Sequence, residues 1–420
     1  MTPPGVQDEV SAAVTALART GAGGVLALLA RQFDDLDSAD DAVQEGLMQA
    51  VQSWPERGVP DNPSAWLYRV ARNRMIDRYR RAAAARRRLW AAAPDLAGGE
   101  PEPTRPVDLT EGAVADERLR LMLLCCHPAL DGDTRVALTL RMVGGLTTAE
   151  IAAAFLLPEA TVAQRIVRAK RKIRDARIPF VVPAQLDDRI DALLAVLYLV
   201  FNEGYLSHAA AAPTVRVDLV AEALRLTEQA CRLLPRRAEI EGLLALQLYH
   251  LARQPARTDA AGELVLLADQ DRGCWDGAAL ERANQVLAAA LSRRDPGPYQ
   301  VQALIAAAHT TARTAAETDW PHIAALYGQL QAMWAGPVVA LNRAVAIGMA
   351  DGPLAGLAEL DRIDGLQRYH LLPAARAEFL LVAGDTVAAA AEFERALALA
   401  TQPAERRHLQ RRLAAARIGR

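Results

Sequence analysis

The stretch from Thr134 to Arg177, TRVALTLRMVGGLTTAEIAAAFLLPEATVAQRIVRAKRKIRDAR, decides how the chain is read. Thr147 and Glu150 have the Thr-x-x-Glu spacing of a capping box, in which two side chains reciprocally satisfy orphan backbone N–H groups at a helix start. A short helix is therefore expected from about Thr148, with Ile151, Ala154 and Phe155 as its apolar face. Leu156-Leu157 break it, and Pro158, whose fixed φ suits a first helical position, opens a second helix running to about Ala176. On that helix Val162, Ile166, Ala169 and Ile173 recur at spacings of three and four and share one face, while Thr161, Gln164, Arg165 and Arg168 fall on others. Seven Lys or Arg between Arg165 and Arg177 meet a single acid, Asp175, and the only two lysines of the chain, Lys170 and Lys172, lie among them. A solvated basic face would use the same charges. The order of capped short helix, tight break and long basic helix is what points to a helix-turn-helix whose second helix enters a DNA major groove.

Around this motif the composition is that of a helical, multidomain chain. Its 420 residues exceed what one core usually holds, 52% are hydrophobic and only 5% are aromatic, and Pro and Gly fall mainly between periodic segments. The fold class is all-α. The formal charge of −2 conceals blocks: six acids from Asp34 to Glu45 meet no base, and nine arginines from Arg69 to Arg88 meet only Asp77. Cys125, Cys126, Cys231 and Cys274 have no Cys-x-x-Cys spacing, so neither a disulfide framework nor a metal site is expected, and Cys125-Cys126-His127 reads as core or helix end. The first ten residues lack the basic start and apolar core of a signal peptide, and the apolar run Ala192 to Phe201 is too short to span a bilayer. A cytoplasmic protein without a membrane partner is the expectation. No Gly-x-Ser-x-Gly, Walker loop or His-Glu-x-x-His is present, so neither an enzyme nor a cofactor is expected.

From the amino terminus to about Arg81, short helices over Val10–Ala18 and Val25–Phe33 are expected on either side of a flexible Gly21-Ala22-Gly23-Gly24 connection. The next helix has Ser38 and Asp41 as a capping pair, an apolar stripe of Ala42, Val43, Leu47, Ala50, Val51 and Trp54, and an opposite face with Asp40, Asp41, Gln44 and Glu45. After Trp54-Pro55 a loop should end with Asn62 as N-cap and Pro63 at the first helical position. The helix SAWLYRVARNRMIDRYRR then packs Leu67, Val70, Ala71 and Met75 inward and leaves Arg69, Arg72, Asn73, Asp77, Arg80 and Arg81 outside. Trp66, Tyr68 and Tyr79 are interleaved with these cations. Such a combination suits stacking on unpaired bases while guanidiniums hold phosphates, although core packing is the plain alternative for each ring.

The succession DSADDAVQEGLMQAVQSWP, NPSAWLYRVARNRMIDRYRR, a linker and LTTAEIAAAFLLPEATVAQRIVRAKRKIR resembles the bacterial extracytoplasmic-function sigma factors of the sigma-70 family. The resemblance covers about the first 180 residues. It implies two small helical sigma domains, residues 1–81 and 116–182, joined by a flexible linker over 82–115, and two partners, core RNA polymerase and promoter DNA. It further implies that Asp40, Asp41, Gln44 and Glu45 dock the polymerase. Asn62, Trp66, Arg72, Asn73, Asp77 and Arg80 would melt and capture the minus-ten element, and Thr161, Gln164, Arg165 and Arg168 would read the minus-thirty-five element. The chain has LLPEATV where the family commonly has a glycine-containing turn followed by Gly-Thr-Val.

Residues 186–420 lie beyond the ordinary family pattern. Breaks at Asn202-Glu203-Gly204, Ala212-Pro213, Leu234-Pro235, Gln254-Pro255, Asp295 to Pro298, Gly336-Pro337 and Gly352-Pro353 divide them into successive helices. ARAEFLLVAGDTVAAAAEFERALALATQP has a tetratricopeptide-like pattern, with a weaker echo in NRAVAIGMADGPLAGLAELDRI, and Gly348 and Gly384 stand thirty-six apart. An α-solenoid-like extension is expected, with an ordinary bundle as the alternative, and it would regulate the sigma module or receive a regulatory protein. FNEGY, Phe201 to Tyr205, reads as a helix end with Gly204 at a left-handed cap; this stretch together with the long extension resembles the extended subgroup of these sigma factors. The rival reading of the whole chain is a ligand-responsive helix-turn-helix repressor with a helical sensor, which would not need the acidic helix followed by the Trp-Arg-Asn helix.

Overall fold

The computed structural model describes residues 4–90, 111–155, 157–176, 178, 180, 186–206, 213–257, 259, 265–400 and 403–418. These residues are helical throughout, with no strand among them. They form two compact units, 1–200 and 201–420.

In the first unit α1 (Pro4–Ala16) passes through a π-helical turn, Leu17–Gly21, directly into α2 (Ala22–Phe33). The expected flexible glycine connection is thus helix. Its glycines serve close approach: a Cβ on Gly23 would lie 3.1 Å from the Val143 carbonyl oxygen, and one on Gly21 would meet Ser64 and Leu17. All nine residues from Ala22 to Ala30 are buried, as expected of a helix that is apolar all round and covered on every side. α3 (Leu36–Arg57) is capped by Asp35, whose carboxylate accepts from the Ser38 N–H at 3.0 Å, so the cap lies three residues before the expected Ser38. The helix also carries Pro55 within its last turn instead of ending there. α4 (Pro63–Trp90) begins as expected, with the Asn62 side chain accepting from the Ala65 N–H at 2.9 Å. It continues through the Ala-Arg run assigned to the linker, and α5 starts at Glu111; 91–110, the centre of the expected linker, lies outside the described residues.

α5 (Glu111–Cys125) packs on α2, and α6 (Gly132–Met142), α7 (Thr148–Ala154) and α8 (Glu159–Asp175) pack on one another as a three-helix group. α5 and α6 are separated by an interruption around Pro128, and α6 is started by Asp131, whose carboxylate caps the Thr134 N–H and is held below the usual range by the hydrogen bonds from Thr134. Cys125 and Cys126 are fully buried, and burial pushes the Cys126 thiol up to about 12, which keeps it protonated and inert.

α9 (Asp187–Leu206) runs through Phe201, Asn202 and Gly204 without a break, so FNEGY lies within a helix and Gly204 is no left-handed cap. In the second unit α10 (Pro213–Leu233), α11 (Ala238–Ala252), α12 (Gly277–Ser292), α13 (Pro298–Thr311), α14 (Trp320–Met333), α15 (Pro337–Asp351), α16 (Pro353–Leu360), α17 (Leu371–Val382), α18 (Thr386–Leu399) and α19 (Pro403–Ile418) each pack chiefly on helices one or two places away in sequence, α13 mainly on α11. That near-one-dimensional order is the signature of an α-solenoid. The repeat register differs from the expected one. Gly348 lies inside α15, where a Cβ would lie 2.2 Å from the Phe379 ring, whereas Gly384 is a turn glycine at φ +88°. The counterpart of Gly384 is Gly352, at φ +101° between α15 and α16, and the two turns stand 32 positions apart.

Candidate nucleic-acid interface

The helix-turn-helix is built from local rules. The Thr147 N–H donates to Glu150 at 2.7 Å and the Glu150 N–H donates to Thr147 Oγ1 at 3.1 Å, so the capping box closes reciprocally and starts α7. Pro158 stands at the N-cap of α8, one position before the expected one, with φ −61° and ψ 137°. Val162, Ile166, Ala169 and Ile173 of α8 are buried. Away from that stripe, Gln164 and Arg168 are exposed, and Thr161 and Arg165 are half-buried. Arg165 forms an ion pair with the exposed Asp133 at 3.1 Å, which orients its guanidinium at little energetic cost to release. The four side chains lie within about two turns of one helix, the span of a few base pairs in a major groove.

On α4 the expected cluster divides into two. Asn73, Asp77 and Arg80 are exposed, and Arg72 is half-buried beside Tyr68. Tyr68 and Tyr79 point inward instead of offering stacking faces. The Tyr68 hydroxyl donates to Gln32 at 3.0 Å and the Tyr79 hydroxyl to the Phe33 carbonyl at 3.1 Å, while Tyr79 also stacks on Phe33 with ring centroids 5.4 Å apart. These rings fasten α4 to α2. Trp66 keeps part of its surface open and stands edge-on to the buried Trp54, 5.3 Å between centroids, at the start of the same helix that Asn62 caps. Asn62, Trp66, Arg72, Asn73, Asp77 and Arg80 thus lie along one helix and its cap.

The acidic helix α3 presents its four expected residues unequally. Asp41 and Glu45 share Arg78 of α4, at 3.0 and 2.6 Å, and that shared pairing raises the affinity of the guanidinium for its proton. Gln44 is half-buried. Asp40, expected on the open face, is buried: its carboxylate accepts from Lys170 of α8 at 2.5 Å. Asp37, one turn earlier, pairs with Arg174 at 2.8 Å. Sequence periodicity placed Asp40 on the side opposite the apolar stripe, and only a long-range contact could reveal that another helix covers it. No cluster of metal-binding side chains occurs among the described residues, and no single described helix is long and apolar enough to cross a membrane; a bent pair, Asp8–Arg19 with Ala22–Phe33, has the required length and composition, but Ala22 to Ala30 are buried in the protein.

Comparison with known proteins places these helices. Residues 17–85 match sigma-70 region 2, residues 120–173 match sigma-70 region 4, and residues 189–291 match a family of unknown function. An uncharacterized protein of Rhizobium meliloti is 41% identical over 394 residues, covering 92% of this chain and 91% of that protein. The ECF RNA polymerase sigma factor SigL of Mycobacterium tuberculosis is 33% identical over 145 residues, 34% of this chain and 77% of the relative. The ECF RNA polymerase sigma-E factor of Escherichia coli is 28% identical over 160 residues, 37% and 82%. With both sigma regions in order and two helical modules that carry their expected elements, the chain belongs to the extracytoplasmic-function sigma factors of the sigma-70 family, which direct RNA polymerase to promoters.

Proposed function

We propose that the residues described above divide the work of promoter recognition as follows. Asp41, Gln44 and Glu45 of α3, joined by Asp40 when Lys170 leaves it, dock a basic surface of core RNA polymerase. Thr161, Gln164, Arg165 and Arg168 read base edges and hold phosphates at the minus-thirty-five element. Asn62, Trp66, Arg72, Asn73, Asp77 and Arg80 hold the opened minus-ten element. The observation that carries this reading is α8 itself, with a buried Val162–Ile173 stripe on one side and polar, cationic residues at helical spacing on another. Phosphate contacts supply affinity and salt dependence, and base-edge hydrogen bonds supply sequence choice. Extruding a base costs a few kcal/mol, and the partly open Trp66 ring beside amide and guanidinium groups offsets part of that cost. No covalent chemistry is required of the chain, and it works in the cytoplasm, where polymerase and DNA are.

The second unit is proposed to regulate this activity by receiving a partner protein on its solenoid surface. The test of the first assignment is transcription by sigma-free core polymerase and the full chain from a library of promoter sequences, with transcript starts sequenced. Defined starts sharing an upstream motif are expected, and that motif should shift when Gln164 or Arg168 is replaced. A motif indifferent to both replacements would remove α8 from base reading.

A further inference from the structure

We propose that the second unit binds a second copy of the chain head to tail, the acidic and apolar edge of one solenoid seating on the basic and apolar edge of another. The helices of this unit alternate in direction. The Asp276 N–H, at the start of α12, donates to the Ala252 carbonyl at the end of α11 at 2.9 Å, and the Tyr299 N–H, at the start of α13, donates to Glu239 at the start of α11 at 2.9 Å. Tyr299 and His309, near either end of α13, meet Trp334 and Trp320 at the opposite ends of α14, with ring centroids 6.0 and 5.3 Å apart. Arg343 of α15 pairs with Glu359 of α16 at 3.2 Å, and Arg417 of α19 with Glu394 of α18 at 2.6 Å. Odd-numbered helices from α11 to α19 therefore end at one edge, the far edge, where even-numbered helices begin. At the near edge the order is reversed.

Single exposed apolar side chains are ordinary on a protein surface. Here they are gathered at the edges. Among the described residues of this unit, the large apolar side chains that are more than half exposed are Met349, Leu354, Val382, Val387 and Ile418, at 51% to 83%, and all five lie at the far edge, beside the turns that hold Gly352 and Gly384 and at the end of α19. A second group, Leu291, Met333, Trp334, Val338 and Leu371, 42% to 46% exposed, lies at the near edge. Repetition of the helix pair brings successive side chains onto one edge, so each group forms a row, and exposed apolar rows of this kind mark interfaces. Charge tells the two rows apart. Around the far edge Asp269, Asp271, Glu317, Asp319, Asp351 and Asp385 are exposed, and in its turns Arg313 is the one exposed cation among the described residues. The near edge leans the other way: Arg232, Arg236, Arg294 and Arg368 are exposed against Asp295 and Asp364, while Asp361 and Arg362 pair with Arg376 and Glu359. Two far edges face to face would set acid against acid, so pairing of like edges is disfavoured. A far edge on a near edge matches the charges as well as the apolar rows. Such an interface is heterologous and leaves one edge unused on each side of a pair, so association continues to longer assemblies or closes as a ring.

The test is sedimentation velocity of the full chain across the micromolar range. Its mass should climb past that of a dimer as concentration rises, and should fall at roughly 1 M salt, where the screening length is about 3 Å. Met349→Lys with Val382→Lys alters the far edge alone, and Val338→Glu with Leu371→Glu alters the near edge alone. The lysines enter last turns of α15 and α17 and the glutamates enter first turns of the same helices, positions that the helix dipole favours, and circular dichroism verifies that both chains fold. Each double variant alone should weaken association by about tenfold or more. Mixed, the two should associate again, because the intact near edge of the first meets the intact far edge of the second. A chain that stays monomeric at every concentration overturns the proposal. So does either double variant that still assembles alone, which would mean that like edges pair, and so does a mixture that remains monomeric. No polymerase or promoter enters the measurement, so its result leaves the sigma assignments and the regulatory reading where they are.

Discussion

Arg165 and Arg168 sit three residues apart on α8, one half-buried beside Asp133 and the other exposed, and this difference separates two predictions. If each neutralises one phosphate, Arg165→Ala and Arg168→Ala should each lower promoter affinity and flatten the slope of log K against log salt by about 0.9. Titrations at several salt concentrations measure it, and an unchanged slope would mean the guanidinium reads a base edge or nothing. Asn62 poses a different question, because its side chain already caps α4. Asn62→Asp keeps a good cap and removes the amide donor, so thermal stability should hold within about 0.5 kcal/mol while promoter opening, followed by permanganate reactivity, should weaken. Loss of stability with unchanged opening would reduce Asn62 to a structural role. At this scale the sequence disclosed some features that depend on neighbours within four residues, such as the Asn62 cap and the Thr147–Glu150 box, but it set the α3 cap at Ser38 where Asp35 holds it. It did not disclose the burial of Asp40 or the inward turn of Tyr68 and Tyr79, whose partners Lys170, Gln32 and Phe33 lie 36 to 130 positions away.

Among the elements, periodicity located most helices of the first unit, breaks at Gly and Pro marked off several of the second, and Pro at a helix start marked α4, α13, α15 and α16. Glycine was the poorer guide, because one residue type serves two opposite ends. Gly352 and Gly384 break helices by adopting positive φ, but Gly23, Gly348 and Gly356 continue them and allow a neighbour to approach. Both of the last two lie under the Phe379 ring, where added Cβ atoms would stand 2.2 and 2.5 Å from it, so α15, α16 and α17 are interlocked at that point. Gly348→Leu should therefore destabilise the second unit by about 2–3 kcal/mol or more, since the ring has nowhere to go without moving a helix. A thermal melt shows the loss, and Phe379→Ala in the same chain should recover part of it by vacating the space. If the double variant is no better than the single one, the clash is not with Phe379 and the packing described for this junction is wrong.

For the whole molecule, the two units differ in what they bury. The first is held by helix packing and by ion pairs that cross between sigma regions, whereas the second buries neutral histidines. Burial pushes His250 down to about 3 and His309 down to about 4, from an ordinary 6.5. A base whose folded pKa is depressed contributes its stability fully above the unfolded value, and that contribution is lost as pH falls through 6.5 toward 4 and 3. The melt assigned to residues 201–420 should thus fall steadily between pH 7 and pH 4, and His309→Asn should flatten part of the decline; a pH-independent melt would show both imidazoles to be solvated. The same unit raises the last question, that of its purpose. It occupies over half of the chain, and the Rhizobium meliloti relative matches across 92% of this chain, so the sigma module and the extension occur together in both proteins. Its helices pack on helices one or two places away in sequence, the order of a solenoid, and none of its residues has a role in the contacts proposed for polymerase or DNA. Ending the chain after Ala184 removes that unit while keeping both sigma regions. In cells carrying a reporter on the cognate promoter, the shortened chain should then give an output that no longer follows the inducing condition, at steady-state levels matched by immunoblot. Output that tracks the full chain under every condition would assign the extension to something other than control of initiation.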